Sequence, residues 1–163
     1  MKKIFFLLFL LPTLGFSQGK FGFAPIKTFP NIKASFLTPS PDGSYLVSEV
    51  MNTVQVWNRT AAAYEPGVVL TDFIAAGLFV NGFAISYDGN LLIVVSSDYM
   101  LHVFRRKDGT FKKIQTISDY EGLPWHHSFT PDGKYYMCAT TSGEGILWKI
   151  TEDELVKVSV LKD

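Results

Sequence analysis

The residues with the most versatile chemistry stand together as Trp125, His126 and His127, at the end of the segment YEGLPWHH (120–127). Imidazole groups bind metal ions or transfer protons, and an indole ring stacks on sugars and on other rings. The chain has three histidines, and the third, His102, falls in a different predicted strand. We therefore take Trp125, His126 and His127 as the candidate binding residues.

No other catalytic or cofactor motif is present in the sequence. It has no Gly-rich phosphate loop, no Gly-x-Ser-x-Gly elbow, no His-Glu-x-x-His motif and no paired Cys-x-x-Cys. Four aspartates each precede a glycine, which marks them as turn residues; they are Asp42, Asp88, Asp108 and Asp132. The sequence thus predicts no catalytic residue, no metal ligand and no cofactor.

An internal repeat indicates what holds the candidate residues in place. The Asp-Gly turns at Asp42, Asp88 and Asp132 are 46 and 44 residues apart. Each follows an apolar strand and precedes a β-rich run, a polar break and a third strand that ends in an aromatic ring. A period of this length is typical of four-stranded propeller blades.

A fourth strand in each repeat completes the predicted blade. Tyr64, Gly67 and Leu70 have the same spacing as matching triplets in the other two repeats, which are Phe111, Ile114 and Ile117, and Leu155, Val158 and Leu161. The sequence predicts an all-β fold, a β-propeller segment of three four-stranded antiparallel blades at about 32–72, 81–119 and 125–163. One extra N-terminal outer strand is predicted between Phe23 and Phe29.

Three stretches resemble the WD-repeat propeller family: SPDGSYLVSEVMNTVQVW, SYDGNLLIVVSSDYMLHVF and TPDGKYYMCATTSGEGILW. The resemblance implies a propeller and no particular activity. The family's Trp-Asp and Gly-His pairs are missing, and its turn aspartate persists only as Asp98. The resemblance also implies a structural role as the alternative for His126 and His127, because in that family a histidine near this position hydrogen-bonds within its own blade.

The first 17 residues have the pattern of a secretory signal peptide. Lys2 and Lys3 precede an apolar run, and Gly15 and Ser17 are small residues before a cleavage site at Gln18. We therefore predict a secreted protein, periplasmic if the source is bacterial, with no membrane anchor after cleavage and a partial propeller over 18–163. The triplet at Asn58 is a glycosylation site if the source is a eukaryote.

Composition excludes some partners. Apolar residues make up 47% of the chain and charged residues 18%, which is typical of a core-forming domain. Cleavage of the predicted signal peptide removes Lys2 and Lys3, so the mature chain has 13 basic residues against 15 acidic ones and a net charge of −2. Nucleic acid is therefore not an expected partner. Cys138 is the single cysteine; it is predicted to be a buried hydrophobic residue, the alternative being a reactive thiol.

Two further segments have competing interpretations. The apolar linker DFIAAGLFVN (72–81) is predicted to fold over the propeller with its rings packed inward, the alternative being a lip of a binding surface. The basic residues around Asp108-Gly109, which are Arg105, Arg106, Lys107, Lys112 and Lys113, are predicted to form a solvated edge, the alternative being an anion-binding patch.

Three blades leave two blade faces without a neighbour. If each exposes on the order of 400 Å² of apolar surface, about 20 kcal/mol of burial is forgone at about 25 cal/mol/Å². We therefore expect either a homodimer that closes the ring or a longer protein. The favoured function is an exported, non-catalytic scaffold that binds a protein or glycan partner. The alternative is the N-terminal part of a secreted propeller enzyme, a lactonase-like or glycan-processing hydrolase.

Overall fold

The computed structural model describes residues 34–50, 53–71, 73 and 77–162. They form twelve β-strands, and this part of the chain contains no helix that could cross a membrane. The strands are β1 (Phe36–Pro39), β2 (Tyr45–Val50), β3 (Thr53–Arg59), β4 (Tyr64–Leu70), β5 (Val80–Ile85), β6 (Leu91–Ser96), β7 (Leu101–Lys107), β8 (Thr110–Ile117), β9 (Pro124–Phe129), β10 (Tyr135–Thr140), β11 (Gly145–Ile150) and β12 (Leu155–Leu161).

The strands form three four-stranded antiparallel sheets, each made of four consecutive strands. Blade 1 comprises β1 to β4, blade 2 comprises β5 to β8, and blade 3 comprises β9 to β12. The predicted all-β fold of three four-stranded antiparallel blades is confirmed. The predicted signal peptide (1–17) and the predicted extra strand (23–29) lie outside the described residues.

A hydroxyl-x-Asp-Gly turn repeats in all three blades with the same hydrogen bonds. In blade 1, the Asp42 carboxylate accepts the Ser40 hydroxyl at 2.7 Å and the Ser44 backbone N–H at 3.0 Å. The Ser40 hydroxyl oxygen also accepts the Tyr45 N–H at 3.1 Å. The equivalent hydroxyl-to-carboxylate bonds, Ser86 to Asp88 and Thr130 to Asp132, measure 2.5 and 2.6 Å. The Asp-Gly residues are therefore turn residues, as predicted.

Blade 2 is buried on both sides because it lies between the other two blades. All six residues of β6 are buried, without the alternation of a half-exposed strand. Leu91, Ile93 and Val95 point into the core shared with blade 3. Leu92 and Val94 point into the core shared with blade 1. We call the face turned toward the following blade the leading face, and the opposite one the trailing face.

The ring that ends the third strand fills the core under the preceding blade. Phe104 is 1% exposed and packs in the core of blades 1 and 2, and Trp148, also 1% exposed, packs in the core of blades 2 and 3. A ring of this kind removes about 150–250 Å² from water. This large burial explains why each repeat has an aromatic residue at this position.

Polar side chains also join adjacent blades. The Tyr45 hydroxyl of blade 1 donates to the Gly89 carbonyl of blade 2 at 2.8 Å. The Gln115 side chain of blade 2 donates to the Leu155 carbonyl of blade 3 at 3.1 Å and accepts the Leu155 N–H at 2.8 Å. These bonds fix the position of each blade relative to the next.

Two of the basic residues predicted to form a solvated edge instead connect the blades, so that prediction is wrong for them. Arg105 donates to the Thr151 carbonyl of blade 3 at 2.8 Å. The Arg106 guanidinium lies 4.8 Å from the centre of the Tyr45 ring of blade 1, a cation–π distance. Both arginines lie on β7 near the neighbouring blades, where their long side chains reach partners that local sequence does not reveal.

The prediction that the rings of the 72–81 linker pack inward is confirmed for Phe73 and wrong for Phe79. Phe73 is 8% exposed, and its ring lies 5.0 Å from that of His102 and 5.2 Å from that of Phe104. Phe79, in contrast, is 55% exposed. Cys138 is buried as predicted, and burial raises the pKa of its thiol to about 12.

Candidate functional site

The three candidate residues lie on β9, the strand of blade 3 that neighbours β5 of blade 2. The strand already begins at Pro124, one residue before the first candidate. Proline is tolerated there because β9 is the edge strand of its sheet, where a missing N–H removes no ladder hydrogen bond. The candidate residues therefore have strand geometry.

A β-bulge sets the exposure of Trp125 and His126. The pairing of β9 with β10 shifts between Ala139, which lies opposite His126, and Thr140, which lies opposite Pro124. Trp125 is the extra residue and has no partner across the ladder. Such a bulge re-aims side chains, so two consecutive residues are exposed where a regular strand would bury one of them. Trp125 is 65% exposed, and its ring lies 6.4 Å from that of His126 at an angle of 86°.

His127 is in a different environment from its two neighbours. It is half-buried, lies opposite Cys138, and has its ring 6.3 Å from that of Tyr136. Its Nδ1 is buried without a hydrogen-bond partner among the described residues. Burial, followed by the nearby His126, lowers the pKa of His127, so its imidazole is neutral at neutral pH.

The leading face of blade 3 carries an apolar cleft of about 520 Å³. His126 lies at one side of the cleft, and Met137, Leu147 and Leu161 provide most of its large apolar side chains. Met137 is 47% exposed and Leu161 is 71% exposed. The equivalent face of blade 2 is covered by blade 3, which is why the corresponding side chains there are buried.

A smaller cleft of about 260 Å³ lies along the first strands of blades 2 and 3. It brings His127 together with Tyr87, Phe83 and Phe129, and Pro41 of blade 1 closes one side. His127 borders both clefts, whereas Trp125 borders neither. The three consecutive candidates therefore do not line one common cleft.

The histidine that hydrogen-bonds within its own blade is His102, and not the pair that the WD-repeat resemblance indicated. Its Nε2 lies 2.9 Å from the Ser96 hydroxyl, which in turn donates to the Asp98 carboxylate. Burial is the main cause of the lowered pKa of His102. Asp98 thus stabilises the turn between β6 and β7, and this network is structural.

The acidic and metal-binding chemistry of the described residues is limited. They contain no group of three His, Cys, Asp or Glu side chains that could hold a metal ion. The Asp42 carboxylate is occupied by its turn, and the Ser44 N–H and the Ser40 hydroxyl lower its pKa to about 2. Asn58 is exposed on β3, a position that a glycan could reach.

Two residues near the candidates were not identified from the sequence. Tyr136 is fully buried beside His127, its hydroxyl has no partner within the described residues, and burial raises its pKa. Tyr87 is 56% exposed in the turn of blade 2, where the other two repeats have proline. Tyr87 could have been identified from the sequence, because the other two repeats have proline at its position. The surroundings of Tyr136 could not, because they depend on how the blades pack.

No protein-family model matches the chain. One curated protein, tipD of Dictyostelium discoideum, is 31% identical over 121 residues, which cover 71% of this chain and 19% of tipD. The chain therefore matches about a fifth of the length of that relative.

Solved structures with similar folds include lactonases and a β-propeller domain. The periplasmic gluconolactonase PpgL of Pseudomonas aeruginosa superposes with a TM-score of 0.62 at 20% identity over 78% of this chain and 39% of its own. A protein of Bacteroides uniformis assigned as a 6-phosphogluconolactonase gives 0.64 at 25% identity, over 77% and 39%. The Cps50 (Swd1) β-propeller domain of Myceliophteria thermophila gives 0.61 at 17% identity, over 78% and 39%. The chain has a propeller fold and covers about two fifths of each of these structures.

Proposed function

We propose that this chain is an exported, non-catalytic propeller scaffold that binds a partner through the surface around Trp125 and His126. The observation that carries the proposal is Trp125 itself, which is 65% exposed at the β9 bulge beside an exposed histidine. Tryptophan is enriched among the residues that dominate binding energy at interfaces. Blade 2 has the same bulge at Asn81, so the exposed tryptophan, and not the bulge, is what distinguishes blade 3 and suits a binding role.

The cleft beside His126 favours a protein partner over a glycan. This cleft of about 520 Å³ exposes mainly apolar surface, from Met137, Leu147 and Leu161, and its polar side chains are two histidines and two serines. A sugar needs several donors and acceptors around a stacking ring, whereas an apolar side chain of a protein needs a dry cleft. Methionine adapts its shape readily and is common on such surfaces.

Tryptophan fluorescence tests the proposal directly. Trp57 and Trp148 are 8% and 1% exposed. A change in tryptophan emission when a ligand binds at the surface therefore comes mainly from Trp125. We expect peptides selected on the full chain to shift this emission, and Trp125→Ala to weaken their binding by about tenfold or more. The matched control is Tyr99→Ala, which removes a ring of 53% exposure on blade 2.

Three results would change the assignment. Binding of a panel oligosaccharide, with no selected peptide, would replace the protein partner by a glycan. Equal losses in Trp125→Ala and Tyr99→Ala would remove the site. Retention of the chain inside an exporting host, with an uncleaved N-terminus by mass spectrometry, would contradict export.

Hydrolysis of a lactone is the second candidate, favoured by the likeness to a gluconolactonase and to a protein assigned as a 6-phosphogluconolactonase. In this chain the neutral, partly buried imidazole of His127 would take a proton from the water that attacks the lactone carbonyl. The assay for lactone hydrolysis is alkali uptake with glucono-1,5-lactone as substrate, compared between the full chain and His127→Gln. A rate equal to the spontaneous one in both proteins rejects this candidate.

A further inference from the structure

The chain has four Asp-Gly pairs, and the surroundings of one pair differ from those of the other three. Three pairs begin at Asp42, Asp88 and Asp132, in the turn between the first two strands of each blade. The fourth, Asp108-Gly109, forms the turn between β7 and β8. Asp-Gly is a reactive sequence, because the glycine amide nitrogen can attack the aspartate side chain and glycine has no Cβ to hinder it. The four pairs share this chemistry, so their environments decide which of them reacts.

The carboxylate is held in place in the three blade turns. Asp132 accepts the Thr130 hydroxyl at 2.6 Å and the Lys134 N–H at 3.1 Å. Asp42 and Asp88 accept a hydroxyl and an N–H from the equivalent positions. Hydrogen bonds to an ionised acceptor are about twice as strong as neutral ones. The carboxylates of these turns are therefore restrained by bonds that must break before the side chain can react.

The attacking nitrogen of the three blade turns is restrained as well. It belongs to Gly43, Gly89 and Gly133, and each of these glycines donates its N–H to the carbonyl of the residue three positions earlier, at 2.9 Å in every turn. Attack on the side chain requires this amide to leave its acceptor and to lose its proton. Both reacting groups of these turns are thus engaged elsewhere.

The same hydrogen bonds keep the carboxyl groups ionised. The Thr130 hydroxyl is the main cause of the lowered pKa of Asp132. At Asp42 the main cause is the Ser44 N–H, and the pKa is lowered to about 2. The protonated carboxyl group is the form that reacts, because its hydroxyl can leave as water. A lowered pKa therefore reduces the reactive fraction at neutral pH.

Asp108-Gly109 lacks these restraints. Both residues are exposed, and among the described residues neither the Asp108 carboxylate nor the Gly109 N–H has a hydrogen-bond partner. Their φ angles are 51° and 77°, as in the type I′ turn of a two-residue hairpin loop. The Thr110 hydroxyl donates to the Lys107 carbonyl across the tip at 2.9 Å, so this bond involves neither reacting group. Both groups are therefore free to meet.

We propose that Asp108 is a site of spontaneous covalent modification, at which the folded chain converts Asp108-Gly109 to an isoaspartyl linkage while the other three Asp-Gly pairs stay intact. The Gly109 nitrogen bonds to Cγ of Asp108, and the carboxyl O–H leaves as water with the amide proton. The five-membered succinimide then takes up water at the backbone carbonyl of Asp108, which breaks the original peptide bond and leaves Gly109 joined through Cγ. One water is lost and one is gained, so the mass is unchanged and no oxidant or cofactor is needed.

Peptide mapping of the full chain, incubated at neutral pH, tests the proposal. Isoaspartate is located by electron-transfer fragmentation and quantified with a methyltransferase specific for it. We expect it to accumulate at Asp108 at least about tenfold faster than at Asp42, Asp88 or Asp132, because hydrogen bonds to a charged group must first break at those three. In urea the four pairs should react at rates within about threefold of one another, since unfolding removes the turns.

Two variants test the assigned cause. Thr130→Ala removes the hydroxyl that holds Asp132, so isoaspartate at Asp132 should form about fivefold faster or more, with no change at Asp108. Asp108→Glu is the matched control, because its longer side chain would have to close a six-membered ring; it should remove the product at this position. Melting curves of both variants establish that they are folded.

Several results would overturn the proposal. One is accumulation at Asp42, Asp88 or Asp132 as fast as at Asp108 in the folded chain. Another is an unmodified Asp108 in the folded chain after the chain in urea has reacted. An unchanged rate at Asp132 in Thr130→Ala would reject the hydroxyl as the protecting group. Deamidation of Asn81 gives the same linkage but raises the mass, so it is counted separately. No outcome here depends on the peptide-binding result for Trp125.

Discussion

The hydroxyl of Tyr45 provides the sharpest test of how the blades are held together. Tyr45 is fully buried, and its hydroxyl donates to the Gly89 carbonyl of the next blade at 2.8 Å. Replacement by phenylalanine removes this oxygen and keeps the ring. The edge contact with Phe111 and the cation–π contact with Arg106 therefore remain in Tyr45→Phe.

The expected loss follows from the burial of this bond. A neutral hydrogen bond contributes about 0.5–1.5 kcal/mol net, and a buried acceptor left without its donor costs about 1–3 kcal/mol. We expect Tyr45→Phe to lower the free energy of unfolding by about 1–2 kcal/mol. The melting temperature should fall by about 3–6 °C for a chain of this size.

Urea unfolding followed by circular dichroism measures this loss, provided that the slope against urea is unchanged. The control is Tyr135→Phe, because Tyr135 holds the same position in the repeat of blade 3. Tyr135 is half-buried, and its hydroxyl makes no hydrogen bond within the described residues. We expect the control to change the free energy of unfolding by less than about 0.5 kcal/mol.

Equal effects of the two substitutions would refute this reasoning. If both cost about 1 kcal/mol or more, the hydroxyl of Tyr135 has a partner of its own, such as a docked blade. If neither has an effect, the bond between Tyr45 and Gly89 does not hold blades 1 and 2 together in solution.

Three further predictions concern other parts of the fold. The pKa of Asp42 is lowered from 3.8 to about 2, so its carboxylate contributes stability above pH 3.8 that is lost as the pH falls toward 2. Urea unfolding of Asp42→Asn should therefore depend less on acid pH than that of the unmodified chain, and an unchanged pH profile would contradict this prediction. Cys138 is 4% exposed, and the pKa of its thiol is raised to about 12. An aromatic disulfide reagent should therefore modify it at least about tenfold faster in urea than in buffer. Equal rates would show that the thiol is accessible in the folded chain. Gln115→Ala removes both hydrogen bonds to the Leu155 backbone and should lower the free energy of unfolding in urea by about 1–2 kcal/mol. A loss below about 0.3 kcal/mol would indicate that water replaces the amide.

The repeat made most of the architecture predictable. Asp42, Asp88 and Asp132 mark turns whose hydrogen bonds are local, between residues two to five apart in the chain. Local bonds of this kind are set by residue type and spacing. The three four-stranded blades and the buried Cys138 follow from the same pattern.

The candidate site was predictable only in part. The sequence indicates Trp125, His126 and His127 as chemically distinctive, but not which surface each one faces. The bulge opposite Ala139 and Thr140 decides that, and it depends on the pairing of two strands. Arg105 and Arg106 were misplaced for the same reason, since their partners lie about 46 and 61 residues away in the chain.

The sequence by itself therefore determined the number of blades, the turns and the alternation that buries one face against another, because each depends on neighbours within a few residues. Only the tertiary structure decided which faces are covered and which hydroxyls find acceptors across a blade boundary. Ile93 and Met137 illustrate the difference, because they share a repeat position but are 0% and 47% exposed. Blade 3 covers the face that carries Ile93, whereas the face that carries Met137 forms the open cleft.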